Sequence, residues 1–207
     1  MINIAVLVSG GGTNLQALID SAPYQGGALR LAVSSSSRAY ALQRAQKAGL
    51  ETAVIRPKDF ESRGAFTDAL IGCLQAYDIG LVVFAGFLYI LSPRFAGVYG
   101  GRAINIHPAL IPSFCGKGFY GLRVHEAALA YGVKLTGATA HYVTEETDGG
   151  PIIAQKTVET LPGDTPESLQ RRVMEACEWP LLAQAVHDHC AGRLRIEGRR
   201  VIREENG

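Results

Sequence analysis

An asparagine and a histidine two residues apart are the side chains of this chain best suited to acyl-transfer chemistry. Asn105 and His107 lie in segment 102–108, where Pro108 ends the strand that the pattern predicts. Side chains two apart on a strand point to one face. An asparagine amide can hydrogen-bond a developing oxyanion, and an imidazole can donate or accept a proton near neutral pH. A core histidine beside an asparagine that caps a turn explains the same pair without catalysis.

A carboxylate that can serve this histidine lies in the loop Thr147-Asp148-Gly149-Gly150-Pro151. A carboxylate within about 4–6 Å of an imidazole raises the imidazole pKa and fixes its orientation. We therefore expect Asp148 to hold His107 protonated. A hairpin turn, for which Asp-Gly is well suited, is the structural alternative for this loop.

A glycine loop, Ser9-Gly10-Gly11-Gly12-Thr13-Asn14, joins the first predicted strand to the first predicted helix. Glycine lets the backbone approach a ligand closely, and a helix N-terminus offers free N–H groups to an anion. No lysine follows the glycines, so the loop is not a nucleoside triphosphate loop. No acidic residue ends the second strand, which favours a monophosphate over a dinucleotide. A tight turn without any ligand is the alternative.

Composition limits the partners and the compartment. A net charge of +1 over 207 residues excludes strong attraction to nucleic acid or to an anionic membrane. No run reaches the roughly 20 apolar residues of a membrane span, and no secretion signal precedes the first strand, so we expect a cytoplasmic protein. No metal-ligand cluster is seen, and we expect reduced thiols at all four cysteines: Cys73, Cys115, Cys177 and Cys190.

Apolar runs alternate with helix-like stretches through the first half of the chain, which predicts an α/β fold with a parallel sheet. The predicted strands are 2–8, 29–34, 51–55, 79–85 and 102–106, and the predicted helices are 14–21, 38–48, 62–77 and 93–99. The second half predicts a helix over 120–131, longer strands over 134–143 and 151–158, a helix from Pro166 to about His189, and a hairpin after Leu194. We expect one domain over residues 1–207, with halves of about 1–100 and 101–207.

Together these segments resemble the phosphoribosylglycinamide formyltransferases from about residue 2 to residue 196. The matching segments, in order, are Val8–Gln16, Ala85–Ser92, Asn105–Pro112 and Asp148–Pro151. The resemblance implies the formyltransferase fold, a Rossmann-like parallel sheet with flanking helices that antiparallel strands extend in the C-terminal half. It also implies transfer of a formyl group from 10-formyltetrahydrofolate to the amine of 5'-phosphoribosylglycinamide in purine biosynthesis, without a metal, by a monomer or homodimer.

The resemblance also implies roles for individual residues. The catalytic set is Asn105, His107 and Asp148. The residues implied for the phosphoribosylglycinamide site are Gly12, Thr13, Asn14 and Glu178. The residues implied for the folate site are Arg63, Leu88, Tyr89, Ile90, Leu91, Asn105, Thr144, Glu145, Glu146, Thr147 and Asp148.

Some positions depart from the commonest family pattern. Leu88-Tyr89 stands where Met-Arg is frequent, and Glu178-Trp179 where Glu-His is usual. The loop Ser113–Tyr120 is longer than in some relatives; it is glycine-rich and follows the catalytic strand, so we interpret it as a candidate lid. His141, on a strand that can pass the site, is a candidate supporting residue.

Three rival functions remain open at this level. A methionyl-tRNA formyltransferase would carry an additional C-terminal domain and a basic surface. A formyltetrahydrofolate hydrolase would carry an additional N-terminal domain, which a first strand at Ile2 argues against. A non-catalytic phosphate-binding module on the same fold leaves Asn105, His107 and Asp148 without a joint explanation.

Overall fold

A computed structural model describes residues 1–204 of the chain. Its nine strands form one sheet in the order β3-β2-β1-β4-β5-β6-β7-β9-β8. The strands are β1 (Ile2–Val8), β2 (Gly27–Ser34), β3 (Glu51–Val54), β4 (Ile79–Phe84), β5 (Ala103–His107), β6 (Leu135–Tyr142), β7 (Ile152–Glu159), β8 (Leu194–Glu197) and β9 (Arg200–Arg203). The helices are α1 (Thr13–Asp20), α2 (Tyr40–Lys47), α3 (Arg63–Ala76), α4 (Pro93–Tyr99), α5 (Leu122–Tyr131), α6 (Pro166–Val173) and α7 (Trp179–Cys190).

The first five strands are parallel and carry the core on both faces. β1 lies between β2 and β4, and Ile4 to Val8 are fully buried. Alternate residues of β1 belong to two separate apolar clusters: Ile4, Val6 and Val8 on one face, and Ala5 and Leu7 on the other. This two-sided burial explains why these strands are continuously apolar, as is usual for a parallel sheet that helices cover on both faces.

The direction of the sheet changes at β5. This strand is parallel to β4 but antiparallel to β6, with Asn105 opposite His141 and His107 opposite Thr139. β6 continues through the loop that contains Asp148 into antiparallel β7. The antiparallel pairing therefore places His141 of β6 beside Asn105 of β5, and the loop that follows β6 folds back so that Asp148 reaches His107 and His141.

The predicted elements are confirmed, with boundaries shifted by one or two residues at most ends. One difference concerns the long C-terminal helix, because a π-helical segment, Met174–Glu178, separates α6 from α7. Pro180, the second residue of α7, has no N–H to donate into the preceding turn, which favours an irregular turn there. Residues 205–207 of the expected single domain lie outside the described residues.

Within residues 1–204, no helix combines the length and apolar character that crossing a membrane requires.

Candidate active site

Four polar side chains from β5, β6 and the following loop meet at the carboxyl end of β5. His107 Nδ1 lies 3.6 Å from Asp148 Oδ2, and His141 Nε2 lies 3.7 Å from Asp148 Oδ1. Asn105 Nδ2 lies 3.1 Å from His141 Nε2. The three residues predicted to be catalytic are thus close together, and His141 is in contact with two of them.

The protonation pattern of His107 follows from its backbone partner. His107 Nε2 lies 2.8 Å from the carbonyl oxygen of Phe114, which only accepts, so Nε2 carries a proton and donates it. The other ring nitrogen, Nδ1, therefore faces Asp148. Burial is the largest influence on the pKa of His107 and lowers it, and this outweighs the upward influence of Asp148 and the Phe114 carbonyl. Asp148 therefore has the predicted proximity and raises the pKa of His107 as expected, but burial lowers this pKa more.

Asp148 remains ionised despite its burial. Burial raises its pKa, but the neighbouring imidazole rings of His141 and His107 and the Gly116 amide together lower it below the usual value. The N–H of Gly116 donates to Oδ2 at 2.8 Å, and the Asp148 backbone has a φ of 56°. A non-glycine residue in this conformation is uncommon and is held there by its surroundings.

His141 orients the side-chain amide of Asn105. Its Nδ1 lies 3.0 Å from the carbonyl oxygen of Tyr142 and must donate to it. In the neutral ring Nε2 is then an acceptor, and it receives one N–H of the Asn105 amide. The second N–H of that amide stays available for a ligand.

A mainly apolar cleft of about 480 Å³ opens beside this group. One wall is the segment Leu88–Leu91, which contains exposed Leu88, Tyr89 and Ile90. A second wall is formed by Thr144, Glu145, Glu146, Thr147 and Asp148. Asn105 and His107 also line the cleft, so every residue predicted for the folate site except Arg63 lies on its surface.

Arg63 lies outside the residues that line the cleft. It is the exposed first residue of α3, and its carbonyl oxygen accepts from the Thr67 hydroxyl at 2.7 Å. Thr67 in turn accepts from the N–H of Ser92, which lines the cleft next to Leu91. The first turn of α3 thus lies near that end of the cleft, and Arg63 is not among the residues that line it.

The glycine loop (Ser9–Asn14) forms a second polar region. Gly12 precedes α1 with a left-handed φ of 73°, and no side chain caps the helix there. Asn14 Nδ2 donates to Glu178 Oε2 at 2.9 Å, so the structure brings the glycine loop and Glu178 together as predicted. Burial raises the pKa of Glu178 to about 7, against the hydrogen bond from Asn14, which lowers it. The Oδ1 atom of Asn14 is buried and has no partner within residues 1–204.

The two regions are joined through one hydroxyl group that the sequence did not single out. Ser9 Oγ accepts from Ser35 Oγ at 2.8 Å and from the N–H of Leu88 at 3.1 Å. Ser9 belongs to the glycine loop and Leu88 to the cleft wall. The position of Ser9 next to the three glycines was the only feature of the sequence that could have indicated this role.

The candidate lid contacts His107 and Asp148 through its backbone. The loop Ser113–Tyr120, which we call the cap loop, supplies the Phe114 carbonyl to His107 and the Gly116 amide to Asp148. Its residues Gly116 to Tyr120 also line the cleft. Backbone groups leave no signature in residue types, so these two contacts were not predictable from the sequence.

Comparison with known proteins agrees with this geometry. Residues 2–186 match the family model described as "Formyl transferase". The phosphoribosylglycinamide formyltransferase of Escherichia coli is 39% identical over 199 residues, which cover 94% of this chain and 90% of that protein. The one from Mycobacterium tuberculosis is 39% identical over 196 residues, 95% of this chain and 88% of that protein. The crystal structure of glycinamide ribonucleotide transformylase 1 from Symbiobacterium toebii superposes with a TM-score of 0.92 at 40% identity, covering 99% of this chain and 95% of that one.

Proposed function

The chain belongs to the formyl transferase family and acts as a phosphoribosylglycinamide formyltransferase, and we propose that Asn105, His107 and Asp148 carry out the transfer. The donor in this proposal is 10-formyltetrahydrofolate, and the acceptor is the primary amine of 5'-phosphoribosylglycinamide. The observation that carries the proposal is the contact network of these three residues with His141 on the cleft wall. No nucleophilic side chain is required, because the acceptor's own amine attacks.

The reaction begins when the amine attacks the formyl carbon and charge develops on the formyl oxygen. The free N–H of Asn105 stabilises this oxyanion, an interaction worth about 3 kcal/mol when well placed. His141 holds the amide in the orientation that this requires. Orienting two substrates in one cleft supplies a further large part of the acceleration.

The protons then move through His107 and Asp148. A neutral His107 has its lone pair on Nδ1, so it takes the proton that the attacking amine loses, directly or through water. The resulting imidazolium is stabilised by ionised Asp148 at 3.6 Å. It returns the proton to the folate nitrogen as the bond between that nitrogen and the formyl carbon breaks. The products are formylated acceptor and tetrahydrofolate.

Substrate placement follows the two polar regions. The acceptor phosphate binds at Gly12 and Thr13, and Asn14 with Glu178 contacts the remainder of the acceptor. The pterin ring lies against Leu88–Leu91 and Thr144–Asp148, where backbone groups and an apolar wall suit a flat heterocycle. Arg63 lies toward the folate tail. The proposal places the reaction in the cytoplasm, in one domain that acts as a monomer or homodimer and engages neither nucleic acid nor a membrane.

Formyl transfer with purified protein tests the catalytic roles. We expect acceptor-dependent deformylation of 10-formyltetrahydrofolate, with kcat reduced roughly 100- to 10,000-fold in His107→Ala. Since Asp148 raises the pKa of His107, Asp148→Asn should also move the acid limb of the kcat/KM profile to lower pH.

Three results would contradict this assignment. Deformylation that does not depend on the acceptor would indicate a hydrolase. Full activity in His107→Ala would remove the catalytic role of that residue. Binding of both ligands without turnover would favour a non-catalytic module.

A further inference from the structure

The glycine loop is held from one side by α2. The N–H of Ala41 donates to the carbonyl oxygen of Gly10 at 3.1 Å, and Arg44 Nε donates to the carbonyl oxygen of Gly11 at 2.9 Å. Gly12 packs directly on the same helix, because a Cβ atom at that position would lie 2.5 Å from the Cβ of Ala41. Two successive carbonyl groups of the loop therefore point toward α2.

This orientation decides where the N–H groups of the loop point. In a planar trans peptide the C=O and N–H bonds point in opposite directions. Holding the carbonyls of Gly10 and Gly11 toward α2 turns the N–H groups of Gly11 and Gly12 away from it. The carbonyl of Gly12 accepts the first hydrogen bond of α1, from Gln16 at 2.9 Å, which turns the N–H of Thr13 out of the helix end. Within residues 1–204, these three N–H groups have no acceptor.

Arg44 is itself fixed by two further contacts. Its Nη1 donates to Gln16 Oε1 at 3.0 Å, and its Cζ lies 5.1 Å from the centre of the Tyr40 ring. A planar guanidinium with several partners holds a fixed direction, which a flexible ammonium does not. The side chain is half-buried along α2, and its Nε is committed to the Gly11 carbonyl. Arg44 thus contacts the back of the anion-binding backbone.

We propose that Arg44 is a positioning residue for the acceptor phosphate, which it aligns by turning the Gly11–Gly12 peptide rather than by contact. The inference rests on the proposed function, because that function places the acceptor phosphate on this loop. It adds a residue outside the predicted acceptor site.

The rival explanation for any effect of Arg44 is long-range attraction between a cation and a phosphate. Lys47 offers a matched control: it lies on the same helix beside Arg44, is exposed, and borders the same shallow surface pocket as Gln16 and Tyr40. No hydrogen bond or ion pair joins Lys47 to the glycine loop within residues 1–204. Lys47→Gln removes the same charge as Arg44→Gln while leaving the loop contact intact.

The test compares kinetic constants and amide signals of wild type, Arg44→Gln, Lys47→Gln and Gln16→Ala. We expect Arg44→Gln to raise the KM for the acceptor roughly tenfold, as loss of a charge-assisted hydrogen bond implies, with kcat and the folate KM unchanged. Lys47→Gln should change the acceptor KM less than about twofold. Gln16→Ala keeps the charge but loosens the guanidinium, and its effect should be intermediate.

Titration with inorganic phosphate, followed through the backbone amide signals of Gly11, Gly12 and Thr13, measures the loop without catalysis. We expect these signals to shift in wild type and in Lys47→Gln, and to shift at higher phosphate concentration in Arg44→Gln. Equal losses in Arg44→Gln and Lys47→Gln, or none in Arg44→Gln, would overturn the inference. If Arg44→Gln does not fold, an unchanged Gln16→Ala would overturn it. If phosphate shifts the amide signals in a way that depends on Arg44, but the protein does not transfer formyl groups, the inference is supported and the proposed function is contradicted.

Discussion

At the scale of single residues, Glu178 of the proposed acceptor site lies in an environment that disfavours its charged form. The carboxyl group is buried, receives one hydrogen bond from Asn14, and has its pKa raised to about 7. Its pKa is therefore higher in the folded than in the unfolded protein, where it is near 4.5. The folded state binds more protons, so the stability that this group contributes falls as pH rises from about 4.5 to 7.

Replacement of Glu178 by glutamine should separate stability from acceptor binding. The glutamine side chain would carry no charge and would bring an N–H donor close to the unpaired Asn14 Oδ1. Between pH 5 and pH 8, wild type should lose about 2 to 3 kcal/mol of unfolding free energy that Glu178→Gln retains. Urea unfolding at pH 5 and at pH 8 measures this difference in free energy. At pH 8 wild type carries a carboxylate that the variant lacks, so the acceptor KM of the variant should be higher. Normal acceptor binding by the variant would show that Glu178 is not part of the acceptor site.

Residue types predicted which polar side chains come together better than they predicted the pKa of His107. Asn105, His107 and Asp148 stand out because few other functions need them together. The structure places His107 3.6 Å from Asp148 and links Asn105 to Asp148 through His141. The sign of the His107 pKa change depends on burial, which the sequence around His107 does not reveal. The Phe114 carbonyl that fixes its tautomer belongs to a residue without polar side-chain chemistry.

At the scale of elements, α5 contains a histidine that lowers the stability of the fold at acid pH. His125 is fully buried, and neither ring nitrogen has a partner within residues 1–204. Burial, with a smaller influence of His107, lowers its pKa to about 4. The folded state therefore binds fewer protons than the unfolded state between about pH 6.5 and pH 4, and stability falls as pH falls through this range.

We expect His125→Leu to remove this acid sensitivity. At pH 4.5 wild type should have lost about 2.5 kcal/mol, relative to pH 7, that the variant retains. His125→Gln serves as the control, since its uncharged but unpaired amide lowers stability equally at both values. Chemical unfolding at pH 7 and pH 4.5 gives the comparison; identical pH dependence in wild type and His125→Leu would show that His125 does not titrate in this way.

Element positions were predictable because the spacing of apolar residues, and the residues that begin and end helices and strands, agree with the fold. The helix α6 begins at Pro166, as the sequence predicts, and Thr165 caps it. The π-helical turn at Met174–Glu178 was not predicted, because the apolar pattern continues across it. The change to antiparallel pairing at β5 also depends on partners distant in sequence.

At the scale of the whole molecule, the C-terminal hairpin completes the sheet and reaches the active-site loop. β9 pairs with β7 at Ile152 and Arg200, and Arg199 donates to the carbonyl oxygen of Gly149 at 3.2 Å, next to Asp148. The hairpin is tied to α7 by buried Asp188, whose Oδ2 lies 2.9 Å from Arg203 Nε.

Loss of this tie should lower the stability of the entire fold. In Asp188→Asn two arginines, Arg193 and Arg203, lose their carboxylate, which we expect to cost about 2 kcal/mol because both arginines keep some access to water. The Tm should fall by roughly 4–8 °C for a chain of this size. Glu197→Gln on the same hairpin breaks only an exposed pair with Arg195 and should leave Tm unchanged. Equal Tm values for Asp188→Asn and wild type would refute the anchoring role.

The Ser9 hydroxyl has a consequence for inhibitor chemistry. Because its oxygen accepts a hydrogen bond from the Leu88 backbone, the glycine loop and the Leu88–Leu91 wall of the cleft are connected by one short contact. The spacing between these two anchor points is therefore set by the sheet rather than by mobile side chains. A compound that joins a flat heterocycle to a phosphate should have one optimal linker length, and its affinity should fall steeply when the linker is shortened.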